Sequence, residues 1–512
     1  MNPDDPRRAP DRGPSPPGPR RADIVLTALN AGYAHSAFGL RYLQANLGDL
    51  IRSSAVLEFE SGTRTPEIAE AVLALEPKVV GIGVYIWNAT EAAALAAELK
   101  ALRPGLKVVL GGPQLAGGDP DGIFRAADYL VIGEGELAFA DLCRRLLAGD
   151  APAERVINAP APEPDVLSLP YRLYTDADIA GRVIYAESSR GCPFACDFCL
   201  SAVGGPVRTF SLPRLFEEWG ALMDRGARRF KFVDRTFNLD AGRATAILEF
   251  FLARAAEGLF LHFEVVPDRF PEELFGLIGR FPPGALQLEL GVQTFDEAVA
   301  RRIGRRQDNA AVERNIRRLR AETGAHLHAD LIIGLPGEGL EGFGAGFDRL
   351  FALGPHEIQV GTLKRLPGAP IAKHDAAWGM VYGRLPPFEL RENALLDFFT
   401  MQRLRRFARY WEMVANSGVF PEAAGLLLRG ASPFRSFLGF SDWLSERAGR
   451  TYAISRERLR AFLHAYLTEA LGVPASEAAS ALERDALRAS RAAKRGIPPR
   501  QALHHPAAHP EK

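Results

Sequence analysis

The sequence predicts an α/β protein with a doubly wound parallel sheet, an open barrel of six strand–helix units and a helical C-terminal region. Two stretches, 22–150 and 183–390, alternate short apolar runs with helical patterns, which is typical of parallel sheets. From 391 to 474 the pattern is helical. A chain of 512 residues suits two or three domains, because single hydrophobic cores stop growing at roughly 250–300 residues.

The first alternation contains five predicted strands. These strands are predicted at 23–29, 56–60, 79–85, 107–110 and 129–132. Helices are predicted between them at 39–50, 66–75 and 90–102. Because strands and helices alternate, we expect a parallel sheet with helices on both faces.

The loops that follow these strands carry candidate ligand-binding residues. Ligands of such sheets bind outside the carboxyl ends of the strands, and glycine there allows a flat or bulky ligand to approach the backbone. The alternative is that each Gly or Pro merely terminates a short loop. The candidates are Tyr33, His35, Trp87, Gly111, Gly112, Pro113, Gly133, Glu134 and Gly135.

The second alternation follows a predicted linker at 151–182, which is rich in Pro and Ala. Its strands are predicted at 183–188, 229–233, 260–265, 285–290, 326–332 and 357–362. Its helices are predicted at 212–223, 241–255, 271–278, 308–321 and 340–353. Six units rather than eight favour an open partial barrel over a closed one.

Both ends of the chain have compositions that are typical of flexible segments. Residues 1–21 are mostly Pro, Arg, Asp and Gly and are predicted to be a disordered tail. Residues 475–512 are rich in Ala and Arg and then in Pro and His, and they are predicted to be mostly flexible.

Three of the four cysteines, Cys192, Cys196 and Cys199, fall within eight residues after the first barrel strand. A four-iron cluster normally takes four thiolates, so three leave one iron open to a ligand outside the protein. A structural zinc site needs a fourth ligand, and 184–213 contains no histidine and no further cysteine. Zinc and clustered structural thiols remain the alternatives, whereas so few cysteines argue against a disulfide scaffold.

Charge and hydropathy limit the classes of partner. The chain has 62 Lys and Arg against 62 Asp and Glu, so we expect no general attraction to nucleic acid or anionic membranes. No run approaches the ~18 apolar residues of a membrane span. The apolar stretch after Arg20 and Arg21 is too short for a secretory signal. We therefore expect a cytoplasmic protein.

Residues 189–192, with the two cysteines that follow, resemble the radical S-adenosylmethionine (radical SAM) superfamily. Residues 232–238, 289–293 and 330–338 resemble strand segments of its cobalamin-binding branch. The N-terminal sheet resembles the Rossmann-like cobalamin-binding domain of that branch. Residues 363–370 and the helical region after them resemble a subgroup whose C-terminal domain has no assigned function.

The resemblance implies three cofactors: a [4Fe–4S] cluster, S-adenosylmethionine (SAM) and cobalamin. In the superfamily the cluster is held by the three cysteines, here Cys192, Cys196 and Cys199, and SAM chelates the open iron before it is cleaved to a 5′-deoxyadenosyl radical. The residues implied to contact SAM are Phe198, Asp234, Glu289, Gln293 and Gly334. The residues implied to contact cobalamin are the nine candidates of the first sheet.

The chain departs from cobalamin mutases at the lower axial ligand. Those proteins supply a histidine from an Asp-x-His-x-x-Gly motif, which the residues around His35 do not match. Cobalamin is therefore expected to bind without a protein histidine on cobalt, with Gly111, Gly112 and Pro113 under the corrin. His35 is expected to be a hydrogen-bonding loop residue, and axial ligation by it is the alternative.

The resemblance implies a methyltransferase that forms a radical at an unactivated centre of an unknown substrate and methylates it through cobalamin. A single further thiol, Cys143, predicted to be buried and inert, cannot build a second cluster. Electrons are therefore expected from an external flavodoxin or ferredoxin. The alternatives are a radical enzyme that rearranges or oxidises its substrate without methyl transfer, and a cobalamin-binding sensor with an idle barrel.

The arginines at 403–406 are a candidate contact for an anionic substrate, but a solvated helix face is the favoured prediction.

Overall fold

The computed structural model describes residues 21–32, 34–119, 122–203 and 205–494. It divides into two compact units, Met1–Val183 and Ile184–Lys512. The division falls at the end of the predicted linker. The barrel and the helical C-terminal region, which were expected as separate domains, form one unit. The predicted disordered tail, apart from Arg21, and the last predicted segment beyond 494 lie outside the described residues.

Unit 1 contains a six-stranded parallel sheet with the order β2-β1-β3-β4-β5-β6. Its strands are β1 (Ile24–Asn30), β2 (Ser54–Glu60), β3 (Val79–Gly83), β4 (Lys107–Gly111), β5 (Tyr129–Gly133) and β6 (Val156–Ala159). Its helices are α1 (Phe38–Ala45), α2 (Thr65–Leu73), α3 (Ala89–Leu102), α4 (Glu136–Leu147) and α5 (Asp176–Gly181). Every residue of β1 is buried, because hydrophobic clusters lie on both faces of the sheet.

The prediction of a linker at 151–182 is wrong for much of that stretch. β6 pairs with β5 and extends the sheet. Thr175 and Asp178 form a capping box at the start of α5. Asp178 is buried and also accepts a hydrogen bond from Arg41, so this helix is tied into unit 1. Four residues of β6 in a Pro- and Ala-rich stretch carry too little periodic signal to be recognised without their pairing partner.

Unit 2 contains six parallel strands with the order β14-β13-β12-β11-β10-β7 and two short antiparallel pairs. Its strands are β7 (Ile184–Ala186), β8 (Ser189–Arg190), β9 (Arg208–Thr209), β10 (Arg229–Phe232), β11 (Phe260–Val265), β12 (Leu286–Gln293), β13 (His326–Ile333), β14 (Glu357–Thr362), β15 (Val381–Tyr382) and β16 (Leu390–Glu392). The terminal strands β7 and β14 are not neighbours in this order, so the predicted open six-unit barrel is confirmed.

Helices pack on the barrel and continue beyond it. They are α6 (Leu212–Asp224), α7 (Ala241–Leu252), α8 (Glu272–Ile278), α9 (Glu297–Arg302), α10 (Asn309–Glu322), α11 (Leu340–Phe351), α12 (Asp375–Trp378), α13 (Phe398–Val414), α14 (Pro421–Leu427), α15 (Pro433–Ala448), α16 (Arg456–Ala465) and α17 (Ala475–Lys494). In the part of the chain that the structure describes, no helix is long and apolar enough to cross a membrane.

The prediction of a flexible segment from 475 onward is wrong for α17. Asp485 in α17 accepts hydrogen bonds from the backbone N–H groups of Glu422 and Ala423, both at 3.0 Å. These two N–H groups belong to the first turn of α14, where a helix lacks internal partners. The buried side chains Ala481 and Leu482 hold the same helix against the unit.

Asn416, which follows α13, covers the outer edge of β14. Its side chain accepts from the N–H of Ile358 at 3.2 Å and donates to the carbonyl of Ile358 at 3.0 Å. An open sheet leaves such backbone groups unpaired, and covering them prevents association with other strands. Asn416 therefore covers part of the β14 edge of the open barrel.

Candidate active site

The three clustered cysteines line one cavity of about 240 Å³ at the carboxyl ends of the unit 2 strands. The other lining residues are Phe194, Phe198, Ser201, Arg235, Thr236, Glu264, Val265, Val266, Asp268, Glu289, Gly291, Gln293, Arg305, Arg306 and Asp330. Parallel barrels carry their chemistry at this face. The predicted placement of the cysteines in the loop after the first barrel strand agrees with this position.

The loop that carries the cysteines is held from two sides. Its Asp197 accepts a hydrogen bond from Lys373 Nζ at 2.7 Å, and His374 Nε2 lies 2.8 Å from the other carboxylate oxygen. The Asp197 N–H donates to the carbonyl of Ile303 at 2.9 Å. Gly304 is required beside this bond, because a Cβ there would lie 2.6 Å from the carbonyl oxygen of Ala195. The loop is thus fixed by residues that are remote in sequence.

The thiols suit a group that binds thiolates. All three are free; Cys196 is buried, and the other two are half-buried. Burial raises the pKa of Cys192 and of Cys196, so both are neutral unless positive charge or a metal stabilises the thiolate. Arg305 supplies such charge, with Nη1 at 3.9 Å from Cys196 Sγ. Among the described residues, no group of three or more His, Cys, Asp or Glu side chains is arranged to hold a metal ion, so the three thiols share a cavity without forming such a site.

Three of the five residues predicted to contact SAM, namely Phe198, Glu289 and Gln293, line this cavity. The strand β12 alternates buried apolar and half-buried polar positions, and this alternation directs Glu289 and Gln293 to one face. Gln293 has φ of +70°, next to an irregular register between Gly291 and Gln293. A residue other than glycine in this conformation is strained, and such strain is often found at functional sites.

The structure assigns Asp234 a different position. Asp234 is only 1% exposed and does not line the cavity. Its carboxylate accepts from the Ser188 N–H at 2.8 Å and from the hydroxyls of Ser188 and Ser189, both at 2.6 Å. Asp234 therefore fixes the chain just before the cysteine loop rather than facing the cavity.

Gly334 also lies away from the cavity wall. A Cβ at this position would meet Leu390, and the φ of +89° favours glycine. The packing of Leu390 against the end of β13 thus explains this glycine. For both Asp234 and Gly334, a strand-end position did not reveal the direction in which the residue faces.

Six charged lining residues were not predicted as site residues: Arg235, Glu264, Asp268, Arg305, Arg306 and Asp330. Arg235 Nη1 pairs with Glu264 at 3.1 Å. Glu264 and Asp330 lie in strands, where a charged residue between buried apolar neighbours is a signal for an inward-facing polar position. No local pattern marks Arg305, which reaches the cavity from the loop after α9.

Glu289 remains ionised in this wall. Burial alone would raise the pKa of its carboxyl, but the hydrogen bond to His262 at 2.8 Å and the charge of Lys231 lower it to about 2. Lys231 Nζ lies 3.9 Å from Glu289. The cavity therefore presents a permanent negative charge at Glu289, and arginines line the same cavity.

The candidate ligand edge of unit 1 lies where the strand order reverses. β1 is paired with β2 on one side and β3 on the other, so the loops after β1 and β3 diverge, and ligands of doubly wound sheets bind at such a point. Trp87 lies here, 48% exposed and stacked on Tyr85 with ring centroids 4.6 Å apart. An exposed, ordered aromatic surface of this kind fits a large flat ligand such as a corrin.

Asn88 joins the two loops at this edge. Its fully buried side chain donates to the carbonyls of Leu29 and Gly83 and accepts from the Tyr85 N–H at 2.7 Å. The indole N–H of Trp87 also donates to Leu29, at 3.1 Å. These bonds fix the exposed aromatic pair in place. Asn88 is a positioning residue that the sequence interpretation did not include among its candidates.

Two of the candidate glycines are required by the protein's own backbone. Gly112 has φ of +121°, and a Cβ there would lie 2.5 Å from the Val84 carbonyl oxygen. Gly133 has φ of +101°, and a Cβ would lie 2.4 Å from the Ala159 carbonyl oxygen. Close packing of adjacent strand ends therefore explains these glycines without a ligand.

The other unit 1 candidates are distributed along the same edge. Gly111 ends β4, Pro113 begins the short 3₁₀ turn after it, and Gly135 and Glu134 immediately precede α4. His35 is exposed in the loop after β1, and its carbonyl accepts from Asn30 at 3.0 Å. Tyr33 lies outside the described residues.

A buried ion network holds the loop that carries His35. Glu58 accepts hydrogen bonds from Arg41 at 2.8 Å, Arg182 at 2.7 Å and Asn30 at 3.0 Å, and also from the Ala37 N–H. Burial alone would raise the pKa of Glu58, but the hydrogen bond and charge of Arg41 lower it. The network joins both ends of this loop to β2.

Both units match known family models. Residues 24–143 match the B12 binding domain, and residues 187–349 match the Radical SAM superfamily. These matches confirm the two resemblances predicted from the sequence.

Two curated methyltransferases are similar to part of this chain. The chain is 29% identical over 332 residues to the 2-(S-pantetheinyl)-carbapenam-3-carboxylate methyltransferase of Streptantibioticus cattleyicolor, covering 58% of this chain and 48% of that protein. It is 28% identical over 343 residues to the cobalamin-dependent radical SAM methyltransferase TokK of Streptomyces tokunonensis, covering 60% and 49%. The chain thus spans about half the length of these relatives.

Two solved structures share the fold. OxsB, a cobalamin-dependent S-adenosylmethionine radical enzyme, matches with a TM-score of 0.60 and 15% identity over 94% of this chain and 83% of that one. TsrM of Kitasatospora setae, a radical S-adenosylmethionine methyltransferase, matches with a TM-score of 0.58 and 18% identity over 74% and 81%. At these identities the likeness concerns the fold alone. The two domain matches together place this chain in the cobalamin-binding branch of the radical SAM superfamily.

Proposed function

We propose that this protein is a cobalamin-dependent radical SAM methyltransferase. The observation that supports it best is the convergence of three thiols, with no fourth, on one cavity at the catalytic face of the open barrel. The separate B12-binding unit supports cobalamin as the second cofactor. When bound, the cluster and SAM supply a 5′-deoxyadenosyl radical and cobalamin carries the methyl group.

The residues of the chain bind and orient these groups. Cys192, Cys196 and Cys199 hold the cluster, and Arg305 offsets the negative charge of the thiolates. Phe198 and the permanently charged Glu289 bind SAM within the same cavity.

On the side of unit 1, the edge at the strand-order reversal binds cobalamin. Trp87 provides an exposed flat surface for the macrocycle, and Gly112 keeps the end of β4 free of side chains. No protein histidine is assigned to cobalt.

The proposal includes an external one-electron donor of the flavodoxin or ferredoxin type. The one thiol outside the cluster loop, Cys143, is fully buried in unit 1, and burial raises its pKa to about 12, so it offers no second cluster. We place the protein in the cytoplasm, because the cluster thiols must stay reduced.

Anaerobic reconstitution with iron and sulfide tests the enzymatic part of the proposal. The full chain is expected to show cluster absorption and to form 5′-deoxyadenosine from SAM under reduction. Cys192→Ala should abolish both signals, whereas Cys143→Ala, the matched control, should keep them. If wild type shows neither cluster absorption nor 5′-deoxyadenosine, the barrel is idle and the alternative of a cobalamin-binding sensor is supported instead.

Isotope labelling separates methyl transfer from a reaction without it. SAM labelled in its methyl group is supplied to the reconstituted enzyme together with extract of a strain that lacks the protein. A methyltransferase incorporates the label into a product, whereas a rearranging or oxidising enzyme forms deoxyadenosine without labelled product. Label in the product that depends on Cys192 is the expected result.

A further inference from the structure

A second and larger cavity of unit 2, about 1060 Å³, lies between β14 and helix α13. Its lining comes mainly from β14 and the residues after it, from α13, and from the end of α15 with the residues that follow. Phe198 lines this cavity and also the cavity of the cysteines, so the two cavities share a wall. The larger cavity thus adjoins the candidate active site.

The polar face of α13 points into this cavity. Arg405, Arg406 and Arg409 lie three or four residues apart, which places them on one side of a helix. The opposite side, with Leu404, Phe407 and Trp411 among others, is buried in the unit. Arg405 and Arg406 are half-buried and Arg409 is exposed, so the solvated face predicted for this segment borders the cavity.

The lining carries five cationic side chains, Lys364, Arg405, Arg406, Arg409 and Arg450, against two carboxylates. Arg405 pairs with one of these carboxylates, Glu389, at 2.6 Å. Within the described part of the chain, Lys364, Arg406 and Arg450 form no ion pair, and Arg406 Nε is buried without a hydrogen-bond partner. A buried guanidinium N–H that lacks a partner costs free energy unless a ligand supplies an acceptor.

We propose that this cavity binds the substrate through an anionic phosphate or carboxylate group. Guanidinium groups match the planar and bidentate geometry of both anions, and such charge-assisted hydrogen bonds are the strong ones. The volume suits a small molecule, and the zero net charge of the whole chain argues against a long polyanion. That the bound molecule is the substrate rests on the proposed function, whereas anion binding itself requires no cofactor.

Calorimetric titration of the full chain tests anion binding directly. Inorganic pyrophosphate and citrate serve as probes, and their relative affinities distinguish a phosphate from a carboxylate ligand. We expect saturable binding of at least one probe, and a loss of affinity of tenfold or more in the double variant Lys364→Gln/Arg406→Gln. Arg403→Gln is the matched control, because Arg403 lies on the same helix but pairs with Asp442 outside the cavity. Its affinity should equal that of wild type.

A variant that is expected to gain affinity excludes misfolding as the cause of the affinity lost in the double variant. Glu389→Gln removes one carboxylate and releases Arg405, so it should bind the probe several-fold more tightly than wild type. The inference is overturned if wild type binds neither probe, or if the Arg403 control loses affinity as strongly as the double variant. It is also overturned if Glu389→Gln binds no more tightly than wild type. Deoxyadenosine formation in the same preparations tests the proposed function separately, since a chain that cleaves SAM but binds no anion disproves only this inference.

Discussion

His374 Nε2 lies 2.8 Å from the carboxylate of Asp197, the residue between Cys196 and Phe198. This contact joins the cysteine loop to a segment 177 residues further along the chain. The position of the thiols therefore depends on the structure that follows the last barrel strand. The spacing of the cysteines in the sequence specifies three ligands, and the contact with the distant segment fixes the position of the loop that carries them.

We predict that Asp197→Asn weakens cluster binding without removing a thiol. The amide lacks the charge that Lys373 and His374 stabilise, and hydrogen bonds to a charged group contribute roughly 1.5–3 kcal/mol each. Iron content after reconstitution should fall, and the loss of iron to a chelator should accelerate several-fold. Asp375→Asn is the matched control, because Asp375 pairs with Arg365 rather than with the loop. Unchanged iron retention in Asp197→Asn would contradict the assigned role.

We predict a pH-dependent gain of stability in Glu338→Gln. Burial raises the pKa of Glu338 to about 7, although a hydrogen bond from Thr294 opposes this shift. Between pH 4.5 and 7 the folded chain holds a proton that the unfolded chain releases, so wild-type stability falls as pH rises. The variant should be more stable than wild type by up to about 3 kcal/mol above pH 7. At pH 5 the difference should be small.

Urea unfolding of both full-length proteins at pH 5 and pH 8.5 measures this difference. Glu341→Gln, an exposed position in the following helix, serves as the control. A difference between Glu338→Gln and wild type that is the same at both pH values would show that Glu338 does not titrate in this range.

We predict that Gly112→Ala destabilises unit 1 and abolishes cobalamin binding. The methyl group would collide with the Val84 carbonyl, and the backbone conformation alone, φ +121° and ψ 172°, is essentially restricted to glycine and costs another residue roughly 1–3 kcal/mol. Gly105→Ala is the matched control, because a Cβ there meets no atom within 4 Å. Cobalamin retention by gel filtration and unfolding of both variants provide the measurement. Wild-type stability in Gly112→Ala would show that the loop after β4 can rearrange.

We predict that Glu58→Gln lowers the free energy of unfolding by about 3 kcal/mol at neutral pH, because it leaves Arg41 and Arg182 without their shared carboxylate. The pKa of Glu58 is lowered in the folded chain, so its contribution is present above the ordinary carboxyl range and is lost as pH falls. The difference from wild type should therefore shrink in acid. Urea unfolding and proteolysis within 31–37 measure it, with the exposed Glu60→Gln as the control.

Strands with dense β-branched and apolar residues were predictable from the sequence with accurate bounds, as β11 and β14 illustrate. β6 was missed because four residues form a strand only when β5 is beside them. α17 was missed because its alternation of alanine with charge resembles a flexible segment until Asp485 meets the start of α14.

The sequence by itself determined most of the strand–helix alternation, the open barrel and the three-thiol loop, because periodicity and residue spacing are local properties. Only the tertiary structure decided which polar residues share a cavity. Asp234 accepts hydrogen bonds from the serines before the cysteine loop and does not face the cavity. Arg305 lies beside the thiol of Cys196, and one face of α13 lines the larger cavity. These placements depend on contacts between segments that are far apart in the chain. Strand or helix periodicity predicts the face of the element on which a residue lies, but it does not predict which other element packs against that face.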